Sequence, residues 1–133
     1  MKRSLVLDAS VGVKWFRTES GSVEARQILQ DATRGRIRAV VPTHFAHEVL
    51  SVVERRGGGA ARVVAAWGVI SDSGVDIVPL TDDVVREAAA QCERLGCSFY
   101  DALAPAVASL LGATLVSADF KAHSGYPGVE LIG

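Results

Sequence analysis

SLVLD (residues 4–8) and TLVSAD (residues 114–119) each run through a short, unbroken apolar stretch to a carboxylate. A short continuous apolar run of this kind reads as a strand buried on both faces, because a strand with one solvated face would alternate apolar with polar residues. Working outward from these two, AVVP (39–42) and DIVPL (76–80) read as further strands, and VELI (129–132) as a short fifth. Helices are expected between them over about 10–17, 20–34, 43–56 and 59–72. Thr81 is placed to cap a helix reaching Leu95, and Ser98 to cap another reaching Leu111. Gly57-Gly58-Gly59 reads as a turn between two helices. Buried strands alternating with helices predict a three-layer α/β/α sandwich around a mainly parallel sheet. In that class strand C-termini and helix N-termini share one edge, where ligands bind.

The 133 residues are expected to form one domain with a sizeable core. With 49% hydrophobic residues and a positive mean hydropathy, a disordered chain is excluded. Asp8 interrupts the only apolar run near the N-terminus after four residues, so no secretory h-region is expected there. Pro105, Gly112, Thr114 and Ser117 break the uncharged stretch 102–118, which argues against a membrane span. The expectation is a soluble, cytoplasmic protein. Cys92 and Cys97, the only cysteines, match no metal or redox spacing and read as reduced thiols. The net charge of −1 gives no global basic field for nucleic acid. The arginine clusters at 34, 36 and 38 and at 55, 56 and 62 read as solvated faces or helix ends.

Four carboxylates map to the expected binding edge. Asp8 and Asp119 close strands one and four. Glu48 lies in the first turns of the helix after strand two, and Asp101 in the first turn of the helix before strand four. At 100° per residue Glu48 falls at the border of the stripe made by Phe45, Val49, Val52 and Val53, whereas Glu54 falls opposite it. Glu48 is therefore expected half buried and Glu54 solvated. Asp101 also fits a capping box with Ser98, and each of Asp8 and Asp119 taken alone fits a turn or cap. Phe99, Leu103, Val107, Leu110 and Leu111 are expected to form one apolar face of the helix that carries Asp101.

Four converging acids do not all stay ionised without a cation. Oxygen donors suit Mg²⁺ or Mn²⁺, which lower the pKa of a bound water and stabilise charge on a phosphodiester. No G-x-S-x-G, P-loop or Cys–His spacing competes with this reading. His44 lies one turn before Glu48, within hydrogen-bonding reach of it, and His47 is expected exposed. Trp15 and Phe16 read as core rather than as a base-stacking pair. A receiver-type signalling domain would need an acid pair after strand one, and a phosphatase of the Asp-x-Asp class would need an acid at position 10, which is Ser10.

LVLDASVGVKWF (5–16), PTHFAHEVLSVV (42–53), FYDALAPAVA (99–108) and TLVSAD (114–119) together resemble PIN-domain ribonucleases of the VapC toxin family, across essentially the whole chain. The resemblance implies a single PIN domain over residues 1–133, with a metal site formed by Asp8, Glu48, Asp101 and Asp119. It further implies Mg²⁺- or Mn²⁺-dependent endonucleolytic cleavage of RNA, a homodimer and inhibition by a VapB-type antitoxin. Ser10 and Ser117 match small hydroxyl positions beside that site. Many relatives carry a further acid after the fourth. Here Phe120, Lys121 and Ala122 follow Asp119, so four acids carry over and the number of metals stays open. Pro105 is an unusual choice in its helix. A catalytically weak or inactive PIN-fold module that binds RNA or a partner is the alternative.

Overall fold

The computed structural model describes residues 2–133. Five strands form one parallel sheet: β1 (Arg3–Leu7), β2 (Ile37–Pro42), β3 (Asp76–Val78), β4 (Thr114–Ser117) and β5 (Glu130–Leu131). Their spatial order is β3-β2-β1-β4-β5, with all neighbours parallel. Among the described residues seven helices connect them: α1 (Ala9–Val13), α2 (Ser22–Thr33), α3 (Phe45–Arg55), α4 (Gly59–Asp72), α5 (Asp82–Leu95), α6 (Phe99–Leu111) and α7 (Phe120–His123). The sheet grows outward from β1 in both directions, so the topological switch lies between β1 and β4.

The period-two alternation of strand side chains divides the core into two layers. Leu5, Leu7, Ala39, Val41 and Val116 pack against Val11, Trp15, Ala25, Phe45, Val49 and Ile70 on one face. Val6, Val40 and Leu115 pack against Val84, Ala88, Leu103 and Val107 on the other. The register Leu5↔Ala39, Val6↔Val40 and Val6↔Leu115 keeps each set on its own side. This is the expected three-layer arrangement, and TLVS is β4 residue for residue.

Three local expectations change. The first helix does not run to residue 17. It stops at Val13, and Lys14, Trp15 and Phe16 continue through tight N–H bonds to the carbonyls three residues earlier. That tightening drops Trp15 into the core, where its indole N–H donates to the Ala25 carbonyl at 2.9 Å. The one-turn α7 was not anticipated, because four residues are too few to display helical periodicity. Phe99, Leu110 and Leu111 are exposed at 40%, 47% and 47%, so the buried face of α6 is confined to its middle.

Candidate functional site

Asp8 follows β1 directly and caps α1. Its Oδ2 accepts the Ser10 N–H at 3.1 Å and the Ser10 hydroxyl at 2.6 Å. Asp119 stands two residues past β4 and caps α7, with Oδ1 accepting the Ala122 N–H at 3.0 Å. Ser98 caps α6 by accepting the Asp101 N–H at 3.1 Å, which holds Asp101 in the first turn. Glu48 sits in the first turn of α3 and, like Glu54, is exposed, with 49% of its side chain open to solvent. Each acid therefore stands where a strand ends or a helix begins, on the edge beside the switch point.

Electrostatics ties the four together. Burial raises the Glu48 carboxyl above its ordinary value, and the charges of Asp8, Asp101 and Asp119 raise it further. Two cavities flank the acids. One of about 650 Å³ is lined by Glu48 with His44, His47, Tyr100 and the apolar Leu80 and Leu103. Another of about 330 Å³ takes Asp101, Asp119 and Lys121. Among the described residues, no three Asp, Glu, His or Cys side chains form a closed ligand cluster. Glu48 faces the first cavity, Asp101 and Asp119 face the second, and Asp8 lies buried at the end of β1.

His44 does not hydrogen-bond Glu48, since Nε2 lies 3.6 Å from Oε1. Burial, the main cause, lowers the His44 pKa, which weakens any ion pairing with Glu48. Its ring packs against Tyr100 at 5.6 Å, and its buried Nδ1 has no partner. His47 is exposed as expected, and Trp15 is core, packed edge-on to Phe45. Cys92 and Cys97 are free, and burial raises the Cys97 thiol above its ordinary value.

Ser10 and Ser117 lie beneath the acids. Their hydroxyl oxygens are 3.4 Å apart, Ser10 Oγ accepts the Ala118 N–H at 2.9 Å, and Ser117 Oγ accepts the Asp119 N–H at 3.0 Å. Sequence reasoning missed His123, which is 1% exposed and touches three of the four acid-bearing segments. Its Nδ1 lies 2.7 Å from Ser117 Oγ and 4.0 Å from Asp8 Oδ2, and its Nε2 lies 2.7 Å from the Asp101 carbonyl. The only sequence signal for it was its i+4 spacing from Asp119.

A family model described as PIN domain matches residues 5–124. Comparison with curated proteins finds no match. Among solved structures the chain is similar to VapC20 of Mycobacterium tuberculosis, described as a sarcin–ricin-loop-cleaving toxin, with TM-score 0.74 and 19% identity over 97% of this chain and 99% of that one. It is similar to a toxin–antitoxin complex from Klebsiella pneumoniae, with TM-score 0.73 and 18% identity over 94% of each chain. It is also similar to DNA-bound VapBC from Salmonella typhimurium, with TM-score 0.70 and 14% identity over 98% of this chain and 97% of that one. At these identities the likeness establishes the fold.

Proposed function

The chain belongs to the PIN-domain family, and from that premise we propose that it is a Mg²⁺- or Mn²⁺-dependent endoribonuclease, the toxin of a type II toxin–antitoxin pair. Residues 1–133 form one PIN domain in this reading. The observation that carries it is that Asp8, Glu48, Asp101 and Asp119, from four separate stretches of chain, all stand at strand ends or helix starts along one sheet edge, with the charges of the other three raising the Glu48 carboxyl. Four carboxylates outnumber the one nearby cation among the described residues, Lys121, and their donors are all oxygens, which fits a hard divalent cation. Mg²⁺ keeps several of its waters and takes few protein ligands, so it does not need a closed cluster of side chains.

Asp8, Asp101 and Asp119 would hold the metal directly or through water. When bound, the metal supplies positive charge for a phosphodiester oxygen and acidifies a water. Glu48 completes the site or orients the attacking water, and its half-exposed carboxylate leaves room for that water. Ser10 fixes the Asp8 carboxylate through two hydrogen bonds, so that acid enters the reaction already oriented.

RNA is the substrate in this reading, a VapB-type antitoxin the inhibitor, a homodimer the working form and the cytoplasm the compartment. Two of the similar structures, described as a toxin–antitoxin complex and as DNA-bound VapBC, support the pairing with an antitoxin. Among the described residues no helix is long and apolar enough to cross a membrane. Asp8→Asn tests the assignment. Asparagine caps a helix as well as aspartate does, so the fold is expected to survive. Mn²⁺-dependent cleavage of an RNA pool is expected to drop roughly a hundredfold or more, about 2.7 kcal/mol of barrier. Cleavage by the variant at the wild-type rate would sink the assignment.

A further inference from the structure

Two residues that the nuclease reading leaves unused, Pro105 and His123, meet at one atom. Pro105 lies in the interior of α6 and is fully buried. In an α-helix the N–H of residue 105 would bond the carbonyl four residues earlier, that of Asp101. Proline has no N–H, and its ring crowds that same carbonyl. The helix therefore releases a backbone acceptor at the turn that carries the Asp101 side chain. A buried carbonyl left without a donor is costly, so the replacement partner matters.

His123 is that partner, with Nε2 at 2.7 Å from the Asp101 oxygen. A carbonyl only accepts, so the ring carries its hydrogen on Nε2. Nδ1 then accepts the Ser117 hydroxyl hydrogen at 2.7 Å, and Ser117 accepts the Asp119 N–H at 3.0 Å. The Ser10 hydroxyl hydrogen is committed to Asp8 at 2.6 Å. Both serine hydrogens are thus spoken for, which explains why the two hydroxyls stand 3.4 Å apart rather than closer. At 1% exposure the His123 ring leaves no room for water to take over its bonds.

We infer that His123 is a positioning residue that docks α7 on the Asp101 carbonyl freed by Pro105 and, through Ser117, holds the segments bearing Asp101 and Asp119 in the mutual placement a divalent cation requires. The consequence for metal binding rests on the functional reading above, whereas the bonds rest on geometry alone. Residues that orient metal ligands typically affect metal affinity by roughly ten- to a hundredfold when removed.

The test uses the full chain without RNA. In metal-free wild type, nitrogen-15 spectra are expected to show the His123 hydrogen on Nε2. His123→Phe keeps the volume and removes both bonds. It is expected to speed hydrogen exchange at the Asp119 amide and to weaken Mn²⁺ binding in calorimetry by roughly ten- to a hundredfold. His123→Gln, which retains a donor for Asp101, is expected to recover part of that affinity. Pro105→Ala gives the Asp101 carbonyl a helical donor, so the drop in melting temperature caused by His123→Phe is expected to be smaller in that background. A hydrogen on Nδ1, strictly additive melting temperatures, or wild-type exchange and Mn²⁺ affinity in a folded His123→Phe would each overturn the inference. If His123→Phe does not fold, His123→Gln and Ser117→Ala carry the same comparison. If wild type neither binds Mn²⁺ nor cleaves RNA, the functional reading fails, and the tautomer, the exchange rate and the melting temperatures decide this inference without it.

Discussion

Glu48 is the acid on which the others act, and that gives it a pH signature. Its folded-state pKa is raised, first by burial and then by Asp8, Asp101 and Asp119. The folded protein therefore holds the Glu48 proton more tightly than the unfolded chain does. The resulting stability of the metal-free protein is fully present below the ordinary carboxylate range and is lost as pH rises through the raised value. With 49% of the side chain exposed, solvent screens the effect to less than about 1 kcal/mol. Glu48→Gln is expected to raise the melting temperature slightly in chelator at neutral pH and to leave it unchanged in acid below the ordinary carboxylate range. A gain that persisted in acid would mean that Glu48 is not repelled by its neighbours. Helix phase alone places Glu48 at the border of the apolar stripe, but the residue is more open than the half burial expected of it, with 49% of its side chain exposed. His123 was not legible beyond its i+4 spacing from Asp119, because its partners are Ser117 in β4, Asp8 at the cap of α1 and the Asp101 carbonyl in α6.

At the scale of elements, the site depends on how closely α1 sits on α3. Gly12 makes that approach, since a Cβ there would meet Phe45 Cζ at 2.5 Å and Val49 Cγ2 at 2.8 Å. Both neighbours are fully buried and cannot swing away. Gly12→Ala is expected to destabilise the protein by about 1–3 kcal/mol, measured by denaturant unfolding. It is also expected to weaken Mn²⁺ binding, because α1 carries Asp8 at its start and α3 carries Glu48. Unchanged stability would show that the two helices separate without cost. The caps at Thr81 and Ser98 were read correctly from sequence because a hydroxyl before an apolar run satisfies the free N–H groups of a helix by local chemistry. The early end of α1 was not readable, because burying Trp15 against Phe45 and Ala25 outweighs the helical preference of the residues after Val13.

At the scale of the whole molecule, the metal is expected to couple to folding. Mn²⁺ at a hundredfold excess over its dissociation constant should stabilise the folded chain by about 2.7 kcal/mol, read as a rise in melting temperature that chelator reverses. Asp8→Asn should show little of that rise. An equal rise in the variant would place the cation elsewhere. The same acids offer an antitoxin an electrostatic target, with an Arg or Lys side chain standing in for the cation. Inhibition is then expected to weaken when salt is raised and when the antitoxin's basic residues are replaced. Inhibition indifferent to both would require a mode of blocking that leaves the acids uncovered.

The sequence by itself determined the layers, the parallel sheet and the four acids at its edge. Apolar runs such as LVL and TLVS specify burial locally, and the α/β class then dictates which end of each strand its carboxylate occupies. Only the tertiary structure decided how those acids are held. The Asp101 carbonyl, freed by Pro105, finds His123 on the next helix, beyond β4, and Ser10 meets Ser117 across 107 residues of sequence. Such bonds join groups with no shared period or spacing, so they exist only once the core has brought β1, β4 and α6 together.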